Sequence, residues 1–192
     1  GPWYHHESLN GTGYPRGLTK NDIPFSGQII RVADEYDALV TKRHYKTHVN
    51  ISETLKDLIK NAEPPKPLVA LDQLKQNERL GKINPKPLRV LFRVVIDDIL
   101  YEISCVMNYT TYLQSQIKRL ETIEKYNEKR LDAKKPENYQ YYLSGMEMLF
   151  QNGENLDNFE QVKKEYEIAL DVRKQRIKDL YNEIKIIKKL KV

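Results

Sequence analysis

The chain has 192 residues, 31 % of them charged and 40 % hydrophobic, and its 32 Lys and Arg against 27 Asp and Glu give a formal net charge of +5. Both signs are interspersed, so the surface reads as solvated helix and calls for neither DNA nor a lipid surface as partner. One cysteine, Cys105, excludes a disulfide framework or a thiolate zinc site within one chain and reads as a small core residue; no apolar run nears the ~20 residues of a membrane span and no signal peptide is seen, so a cytoplasmic location is expected.

Residues 1–26 carry Gly11, Gly13, Pro15, Gly17 and Pro24, which predicts a loop with sharp turns. From Gly27 to Thr41 the residues Ile29, Val32, Ala33, Tyr36, Leu39 and Val40 recur at helical spacing and predict an amphipathic helix with that face buried. A second helix is expected from near Asn50, where Asn50 and Glu53 make a capping box. It stops before the stiff connector Glu63-Pro64-Pro65-Lys66-Pro67. A short helix over about 68–80 follows, with Gly81 as its stop.

Pro85 and Pro87 open the next element, and no Gly or Pro occurs from Leu88 to Ala133. Fully helical, that run would be about 69 Å long. Ile99, Ile103, Val106, Leu113, Ile117, Leu120 and Leu131 follow a three-four spacing, interrupted by Thr110, Glu124 and Asn127. Lys134-Lys135-Pro136 ends it. A helix over 139–150 and a turn at 151–155 come next. In the last helix, about 157–191, Phe159, Tyr166, Leu170, Ile177, Leu180, Ile184 and Ile187 form one heptad seam together with Lys163 and Arg173. The two long helices are expected to pair as an antiparallel coiled-coil hairpin within the chain, with pairing between two chains as a homodimer the alternative.

Four groups of residues could carry chemistry. His5-His6 offers two imidazoles, which suit zinc, iron or manganese; the pair also fits an exposed terminus. Asp34 and Asp37 lie three apart on the first predicted helix and border its apolar stripe, either as a solvent-facing pair or as carboxylates whose repulsion a cation would remove. The segment Asn10-Gly11-Thr12-Gly13-Tyr14-Pro15-Arg16-Gly17 allows tight turns and close ligand approach, and Tyr14 offers a ring on which a base can stack. Read alone it is a structural turn. Arg43 can fork onto phosphate oxygens and Lys46 can add a point charge, or both can complement a helix C-terminus.

Taken together and in order, HHESLNGTGYPRGL, then IP, then RVADEYDALVTKRHYK resembles the C-terminal half of the HD-GYP domain, a subgroup of the HD phosphohydrolases. The match is specific over residues 3–48. It extends more loosely to about residue 102, where GKINPKPLRVLF resembles the closing helix of the family. Asn10 stands where the family usually has Asp, and His44 where it usually has Pro.

The resemblance implies an all-α fold: a partial HD-type helical domain over residues 1–102, followed by a helical coiled-coil extension over residues 103–192. It implies a divalent metal cluster, iron or manganese, with His5, His6 and Asp34 as ligands. It implies a substrate site of Gly13, Tyr14, Pro15, Arg43 and Lys46, and a catalytic Asp37 near the phosphates. The activity implied is metal-dependent hydrolysis of cyclic di-GMP to pGpG or GMP in bacterial signalling, by in-line attack of a metal-bridging hydroxide. The His-Asp pair that names the family, and its further ligands, do not occur in these 192 residues. The metal set is therefore incomplete in this chain. The alternative is a catalytically degenerate module that binds a nucleotide or a protein partner and signals through its coiled-coil tail.

Overall fold

In the computed structural model, residues 3–44, 51–66 and 69–192 are described. Among them are five α-helices, two 3-10 turns and no strand; an isolated antiparallel bridge joins Asn10 to Thr19. The helices are α1 (Phe25–His44), α2 (Ile51–Ala62), α3 (Pro85–Leu131), α4 (Pro136–Leu149) and α5 (Phe159–Lys189). The all-α expectation holds, and no helix is long and apolar enough to cross a membrane among the described residues. The chain forms two compact units, one of Gly1–Leu100 with Tyr181–Val192, the other of Tyr101–Leu180.

In the first unit the Gly- and Pro-rich opening is irregular up to α1, as its composition requires. Its buried side chains include Leu9, Ile23, Val32, Leu55, Leu58, Ile83 and Leu88, and Ile184 and Ile187 from the end of α5. Two polar contacts tie that end in: Ser52 N–H donates to Glu183 Oε1 at 2.6 Å, and Arg89 Nε donates to the Val192 main-chain oxygen at 3.2 Å. Gly81 allows the 81–84 turn to reach the end of α2. A Cβ there would lie 2.4 Å from the Ala62 carbonyl, while Lys82 and Ile83 N–H both donate to Asn61 O.

Three local expectations are corrected. Where a helix over about 68–80 is expected, the described residues 69–80 form two 3-10 turns, Leu71–Gln73 and Gln76–Arg79, and no α-helix. Local bonds such as Lys75 N–H to Glu78 Oε2, 3.0 Å, satisfy the backbone there, and the segment has no apolar stripe long enough to anchor a helix. On α1, Val32 is buried and Tyr36, Leu39 and Val40 are half-buried, but Ile29 and Ala33 face outward. Cys105 is exposed, because its neighbours Ile103 and Val106 take the inward positions on α3. Asn50, half of the expected capping box, lies outside the described residues.

In the second unit α3 and α5 run antiparallel. Glu102 pairs with Arg176 at 2.7 Å and Glu124 with Lys163 at 2.8 Å. The predicted seams face inward: Ile103, Leu113, Ile117, Leu120, Phe159 and Leu180 are buried, and Lys163 and Arg173 are half-buried. The Glu124 hydrogen bond holds the Lys163 ammonium above the ordinary lysine range. Leu131 departs from the pattern and is exposed. Leu120, Ile123, Met146 and Phe159 form the core where α4 joins the pair. Arg119 closes this corner, donating two 2.7 Å bonds to Glu154 and one of 3.0 Å to Leu149 O.

Candidate functional site

The loop before α1 is built on Glu7. Its side chain is almost fully buried, at 1 % exposure. Oε1 accepts from Arg16 N–H at 2.8 Å and Oε2 from Leu18 N–H at 2.9 Å, on either side of Gly17, whose φ is +62°. Bonds to a charged acceptor contribute about 1.5–3 kcal/mol each. Gly13 lies against the main chain of the same residue: a Cβ there would meet Ser8 N at 2.4 Å and Glu7 Cα at 2.5 Å. Only glycine fits this approach.

These constraints fold 10–18 back over the histidine pair. Tyr14 N–H donates to His6 O at 3.2 Å, and the two rings stack 4.8 Å apart at 15°. The His5 and His6 rings touch at 3.9 Å, tilted by 46°. Tyr14 remains 61 % exposed, so one ring face meets His6 and the other is open. The Tyr14–Pro15 bond is cis. Asn10 builds the turn by accepting from Thr12 N–H and Oγ1–H, at 3.2 and 2.6 Å.

Helix α1 is tied to the same loop. Arg31 donates from Nη1 to His5 O at 3.0 Å and from Nε to Glu35 at 3.3 Å. Glu35 in turn accepts from Asn61 Nδ2 at the end of α2. Asp34 is on the next turn after Arg31, and Asp37 three residues further; both are exposed. Tyr36, between them, is half-buried. Burial, followed by the negative charge of Asp98, pushes its phenol above the ordinary tyrosine range.

The structure thus brings together His5, His6, Gly13, Tyr14 and Pro15. Asp34 and Asp37 lie on the helix bonded to His5 through Arg31. Arg43 is in the last turn of α1, where only the backbone is described, and Lys46 lies outside the described residues. Two imidazoles and a carboxylate suit a divalent metal by donor chemistry. Among the described residues, however, no three His, Cys, Asp or Glu side chains gather closely enough to hold an ion. Sequence reasoning missed Glu7, Arg31, Glu35 and Asn61. A glutamate following the histidines in a loop short of other acceptors is the one signal that could have found Glu7. A cleft of about 650 Å³ on α3 and α4, lined by Tyr126, Tyr141 and Met148 among others, includes none of the predicted site residues.

Residues 2–66 match the HD domain family. Among similar curated proteins is a cyclic di-GMP phosphodiesterase of Thermotoga maritima, 46 % identical over 54 residues, which are 28 % of this chain and 15 % of that protein. The cyclic di-GMP phosphodiesterase PdeB of Borreliella burgdorferi is 41 % identical over 59 residues, 31 % of this chain and 16 % of that protein. The 3'3'-cGAMP-specific phosphodiesterase 2 of Vibrio cholerae is 55 % identical over 42 residues, 22 % of this chain and 8 % of that protein. The chain therefore spans less than a fifth of the length of these relatives. No solved structure matches it significantly.

Proposed function

We propose that residues 1–102 form the substrate-facing part of a cytoplasmic, metal-dependent phosphodiesterase that hydrolyses cyclic di-GMP to pGpG or GMP, with residues 103–192 as its coiled-coil extension. The observation that carries this reading is the contact of the His5–His6 pair with the Tyr14 ring, in a segment similar to cyclic di-GMP phosphodiesterases. Tyr14 offers its open face to a guanine. Arg43 and Lys46 hold phosphate oxygens, and Asp37 stands near them. His5, His6 and Asp34 donate to iron or manganese. Divalent ions in such a site supply a nucleophilic hydroxide and stabilise charge on the phosphate oxygens. Three donors do not complete a multinuclear site, so the 192-residue chain alone binds cyclic di-GMP without cleaving it.

The experiment is direct. The purified chain is incubated with cyclic di-GMP and Mn²⁺ or Fe²⁺, and products are separated by chromatography. The expected result is bound, uncleaved nucleotide. Metal-dependent release of pGpG that disappears in His6→Ala would refute the incompleteness of the site.

A second reading is favoured by the absence of a gathered three-donor group among the described residues. In it the segment is a catalytically degenerate module that binds nucleotide or a protein partner and signals through the helical tail. Cyclic di-GMP binding insensitive to chelator and to His6→Ala supports that reading. Binding that Mn²⁺ strengthens in the wild type but not in His6→Ala supports the first.

A further inference from the structure

Glu7 has no part in the roles assigned above, yet it is the most constrained acidic side chain of the site. We propose that Glu7 is a positioning residue: its carboxylate clamps the 10–18 turn so that Tyr14 lies on His6 with its outer face presented to a nucleobase. This rests on the cyclic di-GMP reading.

Three observations converge on it. First, both carboxylate oxygens are used, one on Arg16 N–H and one on Leu18 N–H. A loop this exposed (Arg16 and Gly17 both face solvent) would otherwise leave those amides to water. Second, the main chain of Glu7 is the floor on which Gly13 rests, so one residue grips the turn at both of its ends. Third, Glu7 lines a pocket of only about 10 Å³ together with Tyr4, Arg31, Lys82 and Asn84 among others. That leaves room for about one water. The carboxylate cannot swing away without losing its amide partners, so it holds the turn in one place.

The clamp acts on the ring through the chain. Tyr14 lies between Gly13, pinned to Glu7, and Arg16, bonded to Glu7. Its own N–H reaches His6 O, and its ring settles at 4.8 Å from the imidazole. A ring already fixed in place loses little freedom when a base stacks on it, which is where pre-organisation adds affinity. The role requires two acceptor oxygens. Glutamine keeps the size but turns an NH₂ donor toward one of the two N–H donors, and that bond becomes a repulsion. Aspartate keeps both acceptors on a shorter arm.

The test follows His6 by NMR in the full chain. The stacked Tyr14 ring displaces the His6 ring protons upfield in the wild type, and Tyr14→Ala removes that displacement. Glu7→Gln is expected to remove it with helical ellipticity unchanged and to weaken cyclic di-GMP binding by about tenfold. Glu7→Asp is expected to restore part of both. Arg16→Ala, which keeps its N–H, is expected to leave the resonance in place. A displaced His6 resonance persisting in a folded Glu7→Gln chain overturns the proposal. Should Glu7→Gln lose ellipticity, amide exchange in the wild type decides: slow Arg16 and Leu18 amides support the clamp, and exchange at unstructured-peptide rates overturns it. A wild-type chain with the displaced resonance but no affinity for cyclic di-GMP overturns the nucleotide reading while supporting the clamp.

Discussion

Removing Glu154 tests how the second unit is held at its corner. The pair with Arg119 is bidentate, with both distances 2.7 Å, and the side chains are 13 % and 5 % exposed. Breaking a buried ion pair from one side costs about 3–5 kcal/mol, because the remaining charge stays in a poor solvent. In Glu154→Ala, Arg119 would keep Leu149 O at 3.0 Å and Gln116 Oε1 at 2.8 Å. The expected loss is therefore at the lower end, about 3 kcal/mol. A double-mutant cycle with Arg119→Ala should give a coupling of about 2 kcal/mol. The protein carries its own control: Arg176 and Glu102 are also 2.7 Å apart but 52 % and 43 % exposed. Their coupling should stay below about 1 kcal/mol, because water and salt screen an exposed pair. Equilibrium urea unfolding of the full chain measures both cycles. Equal couplings would refute the argument that burial, and not distance, separates the two pairs.

Two further outcomes bear on the first unit. Gly13→Ala should destabilise by about 1–3 kcal/mol, since the clashing atoms are backbone and cannot rotate away; it should also abolish the Tyr14–His6 stack, and unchanged urea stability with an unchanged His6 resonance would refute the close approach. Tyr36 should ionise above free tyrosine in a spectrophotometric difference titration against Tyr36→Phe, because burial and then Asp98 disfavour its charged form. The folded chain then holds this proton more tightly than the unfolded one. Its contribution is fully present below the ordinary tyrosine value of 10.0 and is lost as pH rises through the higher folded value, so Tyr36→Phe should lessen alkaline destabilisation.

Long periodic segments were the most legible in the sequence. The heptad seams of α3 and α5 turned inward nearly residue by residue, because a repeated apolar spacing leaves a helix few ways to hide it. Leu131 broke the pattern through its place at the last residue of α3. Over 68–80 spacing was a poor guide, since short polar segments satisfy their backbone locally and no stripe overrides that choice. On α1 the apolar residues were read as one buried face, yet Ile29 and Ala33 remain exposed. Periodicity says which residues share a face, and only the tertiary fold says what covers it. At the site, His5, His6 and the 13–15 turn were legible as a motif. Glu7 and Arg31 were not, because their roles lie in bonds to main-chain groups, which carry no sequence signature.

The division of the chain has a consequence for its synthesis. Residues 181–192 belong with residues 1–100, and Tyr101–Leu180 is a separate unit lying between them in sequence. Domains tend to fold in the order in which the ribosome releases them. Here the earlier-made unit waits for the later one: Ile184, Ile187 and Glu183 are translated only after all of Tyr101–Leu180 has emerged. The histidine-bearing unit is begun before Tyr101–Leu180 and closed after it. Until then, the groups that receive the end of α5 stay open to whatever else binds nascent chains.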